Sequence, residues 1–125
     1  MSMIKITQKG NFKRFYRFTE RLKNLIGYGE LDQYGREGVY ALRNATPVDT
    51  GKTADSWSYS IERTKTSVKL VFKNSNIQNG TNIAIVIQYG HMTGSGVYVE
   101  GMDYINPALA PIFLQISNTI EGRLS

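Results

Sequence analysis

Any acid–base chemistry in this chain would depend on His91, because the sequence contains a single histidine. General acid–base catalysis needs a group that titrates near neutral pH and a partner that orients it. The carboxylates nearest to His91 in sequence are Glu100 and Asp103, and the histidine stands in a glycine-rich stretch with no evident orienting partner. We therefore predict that the chain is not an enzyme. A small basic ribonuclease acting through His91 is kept only as a minor alternative.

Metal and phosphate chemistry have little support in the sequence. One histidine, no cysteine and scattered carboxylates give no ligand spacing typical of a metal site, and we expect no cofactor. Gly51-Lys52-Thr53 looks like the end of a phosphate-binding loop, but that loop needs a glycine five positions earlier, where the chain has Thr46. Asp49 is better interpreted as a turn or capping residue.

Three arginines at one-turn spacing are the candidate for nucleic-acid binding. Arg14, Arg17 and Arg21 would line one face of a helix that the apolar spacing predicts between residues 12 and 26. Each arginine could then contact a phosphate without reading sequence. The simpler alternative is a solvated helix face. The apolar face of the predicted helix would be formed by Phe15, Phe18, Leu22, Leu25 and Ile26.

Charge is distributed unevenly along the 125 residues, whose formal net charge is +5. Residues 1–44 hold nine Lys/Arg against four Asp/Glu, whereas residues 74–125 hold one against three. This asymmetry suits nucleic-acid binding and equally suits head-to-tail packing of identical subunits. No apolar run approaches the ~20 residues needed to cross a bilayer, and the N-terminus lacks the pattern of a signal peptide. We therefore expect no membrane partner.

The chain is predicted to be a single α+β domain over residues 1–125, with residues 1–11 as an extended arm. Helical spacing from Leu31 to about Asn44 predicts a helix that ends at Thr46-Pro47 and packs closely enough to require Gly35 and Gly38. Alternation predicts a β-hairpin, with strands over residues 56–63 and 68–73.

The second half of the chain is predicted to complete the sheet and cover it. The apolar run from Ile83 to Tyr89 is interpreted as a central strand covered on both faces. A turn at Asn79-Gly80 precedes it, and a glycine loop over residues 90–96 follows it. Asn106 and Pro107 match the cap and first position of a helix that would end near Gly122 and dock on the sheet. The predicted architecture is therefore N-terminal helices and a C-terminal helix on a small, mainly antiparallel sheet with long loops.

Three motifs occur in this order along the chain. Ala-Thr-Pro-Val-Asp-Thr-Gly at 45–51 is followed by Ser56-Trp57, then Ala-Ile-Val-Ile-Gln-Tyr-Gly-His at 84–91, then Gly-Met-Asp-Tyr-Ile-Asn-Pro-Ala-Leu at 101–109. In order and spacing they resemble the head-to-tail joining, or tail-completion, proteins of long-tailed bacteriophages, over roughly residues 31–116. The chain has Thr53 where that family usually has leucine, and Gln88 where it often has glutamate.

The resemblance implies a structural virion protein without enzymatic activity. It would form a homo-oligomeric ring, a hexamer, in the phage neck after synthesis in the bacterial host cytoplasm. Its partners would be a head-completion or connector protein on one side and a tail tube or tail terminator protein on the other. DNA would pass through the lumen without sequence recognition. A basic nucleic-acid-binding module working through Arg14, Arg17 and Arg21 is the alternative function.

The residues expected to carry this function fall into two sets. Loops over residues 74–82 and 90–96 are expected to project from the sheet and to contact a neighbouring ring or face the lumen. The candidate interface residues are Gly90, His91, Met92, Thr93, Gly94, Ser95, Gly96, Ile77, Gln78, Asn79, Arg14, Arg17 and Arg21. The candidate motif residues with a structural role are Pro47, Asp49, Thr50, Gly51, Trp57, Tyr89, Asn106 and Pro107.

Overall fold

The architecture is taken from a computed structural model that describes residues 4–8, 13–47, 51–92 and 94–124. Strands β1 (Ile4–Gln8), β2 (Lys13–Thr19), β3 (Trp57–Arg63) and β4 (Ser67–Asn74) form an antiparallel sheet in the order β1-β2-β4-β3. The helices are α1 (Glu20–Lys23), α2 (Tyr28–Ala45), α3 (Gly51–Ala54), α4 (Ile83–Tyr89) and α5 (Ile105–Leu124). Two short hairpins pair β5 (Ile77–Gln78) with β6 (Thr81–Asn82) and β7 (Gly90–Met92) with β8 (Tyr98–Glu100). The predicted α+β class and the β3–β4 hairpin are confirmed.

The core lies between one face of the sheet and helices α2 and α5. Tyr16, Phe18 and Phe72 point from the sheet into this core and are each at most 1% exposed. The Tyr16 hydroxyl donates to the Leu109 carbonyl at 3.1 Å, and the Tyr16 ring stacks on Phe113 with centroids 5.5 Å apart. Helix α5 also buries the spaced residues Leu109, Ile112, Ile116 and Ile120, which confirms that it is docked on the sheet.

Helix α2 approaches the sheet closely at two glycines, as the sequence predicts. A Cβ at Gly35 would collide with the ring of Tyr59, and one at Gly38 would collide with the ring of Phe72. Gly38 faces the more rigid neighbour, because Phe72 is completely buried. The helix ends at Thr46, whose backbone has left the helical region one residue before Pro47.

We expect Gly38→Ala to destabilise the protein by about 1–3 kcal/mol, because the added methyl overpacks against the buried Phe72 ring. This loss should exceed the gain of up to about 1 kcal/mol that alanine brings to a helix. Gly29→Ala in the same helix is the matched control, since a Cβ there meets nothing within 4 Å. Urea unfolding should show a lower midpoint for Gly38→Ala and an unchanged or higher one for Gly29→Ala. A Gly38→Ala variant as stable as its control would contradict this packing.

The prediction of a helix between residues 12 and 26 is wrong for the first half of this range. Residues 13–19 form strand β2, which pairs with β1 on one side and β4 on the other, and only Glu20–Lys23 is helical. Tyr16 and Phe18 are buried while Arg17 is exposed, so a two-residue period coexists with the helical spacing that we noted. Aromatic residues favour strands, and pairing with β4 decides between the two periods.

The third strand predicted from Ile83 to Tyr89 is also wrong, because these residues form helix α4. The Asn82 side chain caps this helix by accepting from Ala84 N at 3.1 Å. The run is apolar at every position before Gln88, so it carries no period that separates a strand from a buried helix. In the sheet, β4 pairs with β2 on one side and with β3 on the other, so it occupies the central position that we predicted for residues 83–89.

Both predicted ends of the last helix are displaced. Helix α5 begins at Ile105, so Asn106 is not its cap but lies inside it, and the helix continues past Gly122 to Leu124. Near that end, Arg123 binds both carboxylate oxygens of Glu30 at 2.6 and 2.7 Å. The hydrogen bond from Arg123, with a second from Gly27 N, holds the pKa of Glu30 below its ordinary value. This pair joins the end of α5 to the start of α2.

The segment expected to be an extended arm is described over residues 4–8. These residues are β1, which pairs in register with β2 of the same chain, Ile4 opposite Phe18 and Gln8 opposite Arg14. The strand is therefore the edge of the chain's own sheet.

Candidate protein-interaction surface

The β7–β8 hairpin presents a group of apolar side chains to solvent. Its two strands pair Gly90 with Glu100, His91 with Val99 and Met92 with Tyr98. We call the hairpin and the residues that flank it the apolar hairpin surface, defined by six large side chains that are 43–63% exposed: Tyr89, Met92, Val97, Tyr98, Val99 and Met102.

Both faces of this hairpin are open. Tyr98 and Val99 are neighbours on β8 and point to opposite faces of the strand, yet both are exposed, as is Val97 just before them. A two-stranded hairpin is marginally stable alone in water, and contiguous exposed apolar side chains mark interaction sites. The hairpin is therefore the candidate interaction surface of the part of the chain that the structure describes.

Two glycines allow the backbone segments at the base of the hairpin to approach closely. A Cβ at Gly90 would lie 2.5 Å from the Val99 carbonyl oxygen, and one at Gly101 would lie 2.5 Å from the Gln88 carbonyl oxygen. Gly90 also has φ 82°, a left-handed backbone that disfavours other residues. The Tyr98 hydroxyl donates to the Tyr89 carbonyl at 3.2 Å across this base. The hairpin therefore leaves α4 in a fixed direction.

Gln88, near the end of α4 and just before the hairpin, forms hydrogen bonds with the start of helix α5. Its side chain is 6% exposed, and its Oε1 accepts from Tyr104 N at 3.1 Å and from Ile105 N at 3.0 Å. Its Nε2 donates to Asp103 Oδ1 at 2.6 Å, and the same oxygen accepts from Asn106 Nδ2 at 2.9 Å. One amide thus satisfies two backbone donors where α5 begins.

Tyr104 forms a second hydrogen-bond link between α4 and the start of α5. Its hydroxyl donates to the Ala84 carbonyl at 3.0 Å. Burial raises the pKa of the Tyr104 hydroxyl above its ordinary value, so it remains a protonated donor at neutral pH. Together Gln88 and Tyr104 bind both ends of α4 to the start of α5.

Residues of all three sequence motifs meet at a cleft beside the hairpin. The cleft has a volume of about 240 Å³, and its lining combines apolar side chains with one histidine and one carboxylate: Pro47, Val86, Ile87, His91, Val99, Glu100 and Met102. Pro47 belongs to the first motif, Val86 to the second and Met102 to the third. At this volume the cleft is large enough to receive an apolar side chain.

The first motif is anchored by its tryptophan. Trp57 Nε1 donates to Thr46 Oγ1 at 3.0 Å, and the Thr46 hydroxyl donates in turn to the Leu42 carbonyl at 2.6 Å. Both residues are buried, so this relay fixes the end of α2 against the start of β3 and positions Pro47 at the cleft. Gly51 is the first residue of α3, whereas Asp49 and Thr50 lie outside the described residues.

No family model, curated protein or solved structure matches this chain. The likeness to head-to-tail joining proteins therefore stays a prediction that rests on the three motifs. What the structure adds is that residues from these motifs, separated in sequence, are neighbours in space.

The loop over residues 74–82 is mostly structural rather than projecting. Asn74, Asn76 and Asn82 are buried and joined by hydrogen bonds, with Asn76 Nδ2 donating to Thr53 Oγ1 at 2.9 Å and Asn82 Nδ2 donating to the Asn74 carbonyl at 3.1 Å. The part that reaches solvent is its tip, Ile77, Gln78 and Asn79. The predicted Asn79-Gly80 turn is confirmed, with both residues at positive φ.

The other predicted interface residues divide between the hairpin and the sheet. His91 and Met92 lie on β7, and Gly94, Ser95 and Gly96 follow as exposed residues of the turn, whereas Thr93 lies outside the described residues. Arg14 and Arg17 lie on β2, where positions three apart fall on opposite faces, and Arg21 lies in α1. The helical stripe of three arginines is therefore wrong.

His91 is an exposed residue at the cleft, with Glu100 in the same lining. Within the described residues, no group of three or more His, Cys, Asp or Glu side chains is placed to hold a metal ion. Among the helices that the structure describes, none is long and apolar enough to cross a membrane. Tyr89 and Pro107 are exposed motif residues, so their roles are local to the hairpin and to the start of α5.

Proposed function

We propose that this chain is a structural protein of the neck of a long-tailed bacteriophage, where copies of it form a ring that joins the head connector to the tail. The observation that carries the proposal is the apolar hairpin surface, which is exposed on both faces yet fixed at its base. Catalysis does not need such a surface, whereas self-assembly does. The motif resemblance supplies the phage context.

The charge distribution supports contact between copies. A ring repeats one heterologous contact, in which one edge of a subunit meets a different edge of the next. The hairpin side of the chain carries the exposed carboxylate Glu100, and residues 1–44 carry most of the excess positive charge. Unlike charges on the two edges would orient neighbouring copies during assembly.

Nucleic-acid binding through Arg14, Arg17 and Arg21 is the weaker function for this chain. It was inferred from a single helical face, and these residues are divided between a strand and a short helix. The ribonuclease alternative gains no support either, because His91 is exposed and lines a largely apolar cleft.

Phage particles produced without this protein test the proposed role. We expect electron microscopy to show DNA-filled heads and separate, complete tails, because both halves assemble but are not joined. Supplying the protein in trans should restore joined particles. Normal joined particles in its absence, or heads that fail to fill while tails attach, would contradict the neck assignment.

A further inference from the structure

Basic residues are concentrated on the outer face of the sheet, opposite the helices. Strand register assigns alternate positions of β1–β4 to this face, away from the buried Tyr16, Phe18 and Phe72. We call it the basic sheet face, defined by the positions Lys5, Lys13, Arg17, Lys69 and Lys73. Among the described positions of β1–β4 assigned to this face, Glu62 is the only carboxylate.

Backbone register places basic positions opposite one another. Lys5 pairs with Arg17, and Arg17 pairs with Lys69, so one row has a basic position on each of three strands and ends at Glu62 on the fourth. A second row places Lys13 opposite Lys73. Neighbouring strands lie about 4.8 Å apart, and like charges directly opposite destabilise a sheet. A polyanion would find its accessible cations on this face at Arg17 and Lys73, which are both exposed.

The face is open where it is charged. Arg17 and Lys73 are exposed, and Lys69 is half-buried beside Glu62 on the adjacent strand. Between Lys69 and Lys73, Val71 is only 3% exposed and pairs with Phe15 on the adjacent strand. The described helices α2 and α5 pack on the other face of the sheet.

We propose that the basic sheet face binds the phosphate backbone of nucleic acid without reading sequence. Basic positions and the hydroxyl residues Ser58 and Ser60 are the kinds of group that contact phosphate oxygens, and the basic positions lie on either side of one apolar pair, Phe15 opposite Val71. The chain's own acidic residues between 74 and 125 number three, Glu100, Asp103 and Glu121, and one of them is engaged with Gln88. Duplex DNA carries a negative charge about every 1.7 Å along its axis, so its backbone supplies a phosphate for each exposed cation of the face. The inference does not rest on the proposed ring.

The test compares two double variants that remove the same net charge. Arg17→Gln/Lys73→Gln removes two exposed cations from the face, and Lys52→Gln/Lys65→Gln removes two exposed cations elsewhere. Fluorescence anisotropy with labelled duplex DNA is measured from about 50 to 200 mM salt, where each lost phosphate contact lowers the slope of log affinity against log salt by about 0.9. We expect the face variant to lose a slope of about 1.8, so that its loss of affinity at about 50 mM salt is about tenfold larger than its loss at about 200 mM.

The control variant should keep the wild-type slope, and both variants should unfold at the wild-type urea midpoint. Wild-type protein that fails to bind duplex DNA at about 50 mM salt would overturn the proposal. So would an equal loss in both variants, since that reflects net charge alone. A face variant that binds DNA normally but loses self-association by light scattering would identify an acidic surface of a second copy as the partner, which also overturns it.

Discussion

Met92→Asp/Val97→Asp should abolish assembly of the purified protein while leaving its fold intact. The two side chains are 63% and 60% exposed, so charges there cost the free chain little, within about 0.5 kcal/mol. If Met92 and Val97 are buried in an interface, each side chain contributes about 1.5–3 kcal/mol of hydrophobic free energy to binding. Aspartate at either position removes this contribution and places a charge where it loses its hydration. We expect the dissociation constant to rise at least ~100-fold, which corresponds to about 2.8 kcal/mol.

Leu114→Asp/Tyr40→Asp is the matched control for the hairpin variant. These residues are 59% and 69% exposed, lie on α5 and α2, and receive the same change of charge. Light scattering across a concentration series should show the control assembling like wild type. If the hairpin variant assembled with wild-type affinity, or if the control lost assembly equally, the apolar hairpin surface would not be the specific contact.

Gln88→Leu should give the largest loss of folding stability, about 3–5 kcal/mol. The leucine would remove the acceptor for Tyr104 N and Ile105 N, and each buried donor left unpaired costs about 1–3 kcal/mol. Gln115→Leu on the exposed side of α5 is the control and should change stability by less than about 0.5 kcal/mol. Urea unfolding measures both variants, and equal midpoints would show that Gln88 does not hold the start of α5.

Gln88→Glu separates the acceptor role of this residue from its donor role. Glutamate keeps an oxygen for both backbone donors, but places a second carboxylate against Asp103 Oδ1, now 2.6 Å from the amide nitrogen. Like-charge repulsion raises the pKa of the pair in the folded state. A group whose pKa is raised in the folded state stabilises the protein at low pH, and this stabilisation is lost as the pH rises. The free energy of unfolding of Gln88→Glu should therefore fall further below that of wild type between about pH 4 and pH 7.

The elements with one clear period were predictable from the sequence. Trp57, Tyr59 and Ile61 alternate with small polar residues, and the spaced apolar residues of α5 allow only a docked helix. Gly35 and Gly38 in an otherwise regular helix predicted a close approach, and the rings of Tyr59 and Phe72 supply it.

The errors occurred where two periods coexist or none is present. Residues 13–19 satisfy both a helical and an alternating pattern, and pairing with β4, a contact distant in sequence, selects the strand. Residues 83–87 are uniformly apolar, so the Asn82 cap and the occupied centre of the sheet decide their structure. The basic sheet face was missed for the same reason, since its rows exist only after the strands pair.

The sequence prediction and the structure direct attention to the same segment for different reasons. Glycines 90, 94 and 96 indicated a loop, whereas the feature that distinguishes it is the exposure of Val97, Tyr98 and Val99 in succession. Three consecutive apolar residues after a glycine loop form an exposed hairpin only when no other element covers them. The sequence does not show whether they are covered, because this depends on how α4 packs against α5.

Deletion of residues 92–95 tests the proposed neck function most directly, because one experiment examines both the hairpin surface and the joining of heads to tails. Wild-type protein and the deletion variant are each supplied to phage that lacks the chain, and joined particles are counted by electron microscopy. We predict separate heads and tails with the deletion variant and joined particles with wild type. Joined particles with an unchanged ring in the deletion variant would contradict the assignment of the β7–β8 hairpin as the assembly contact.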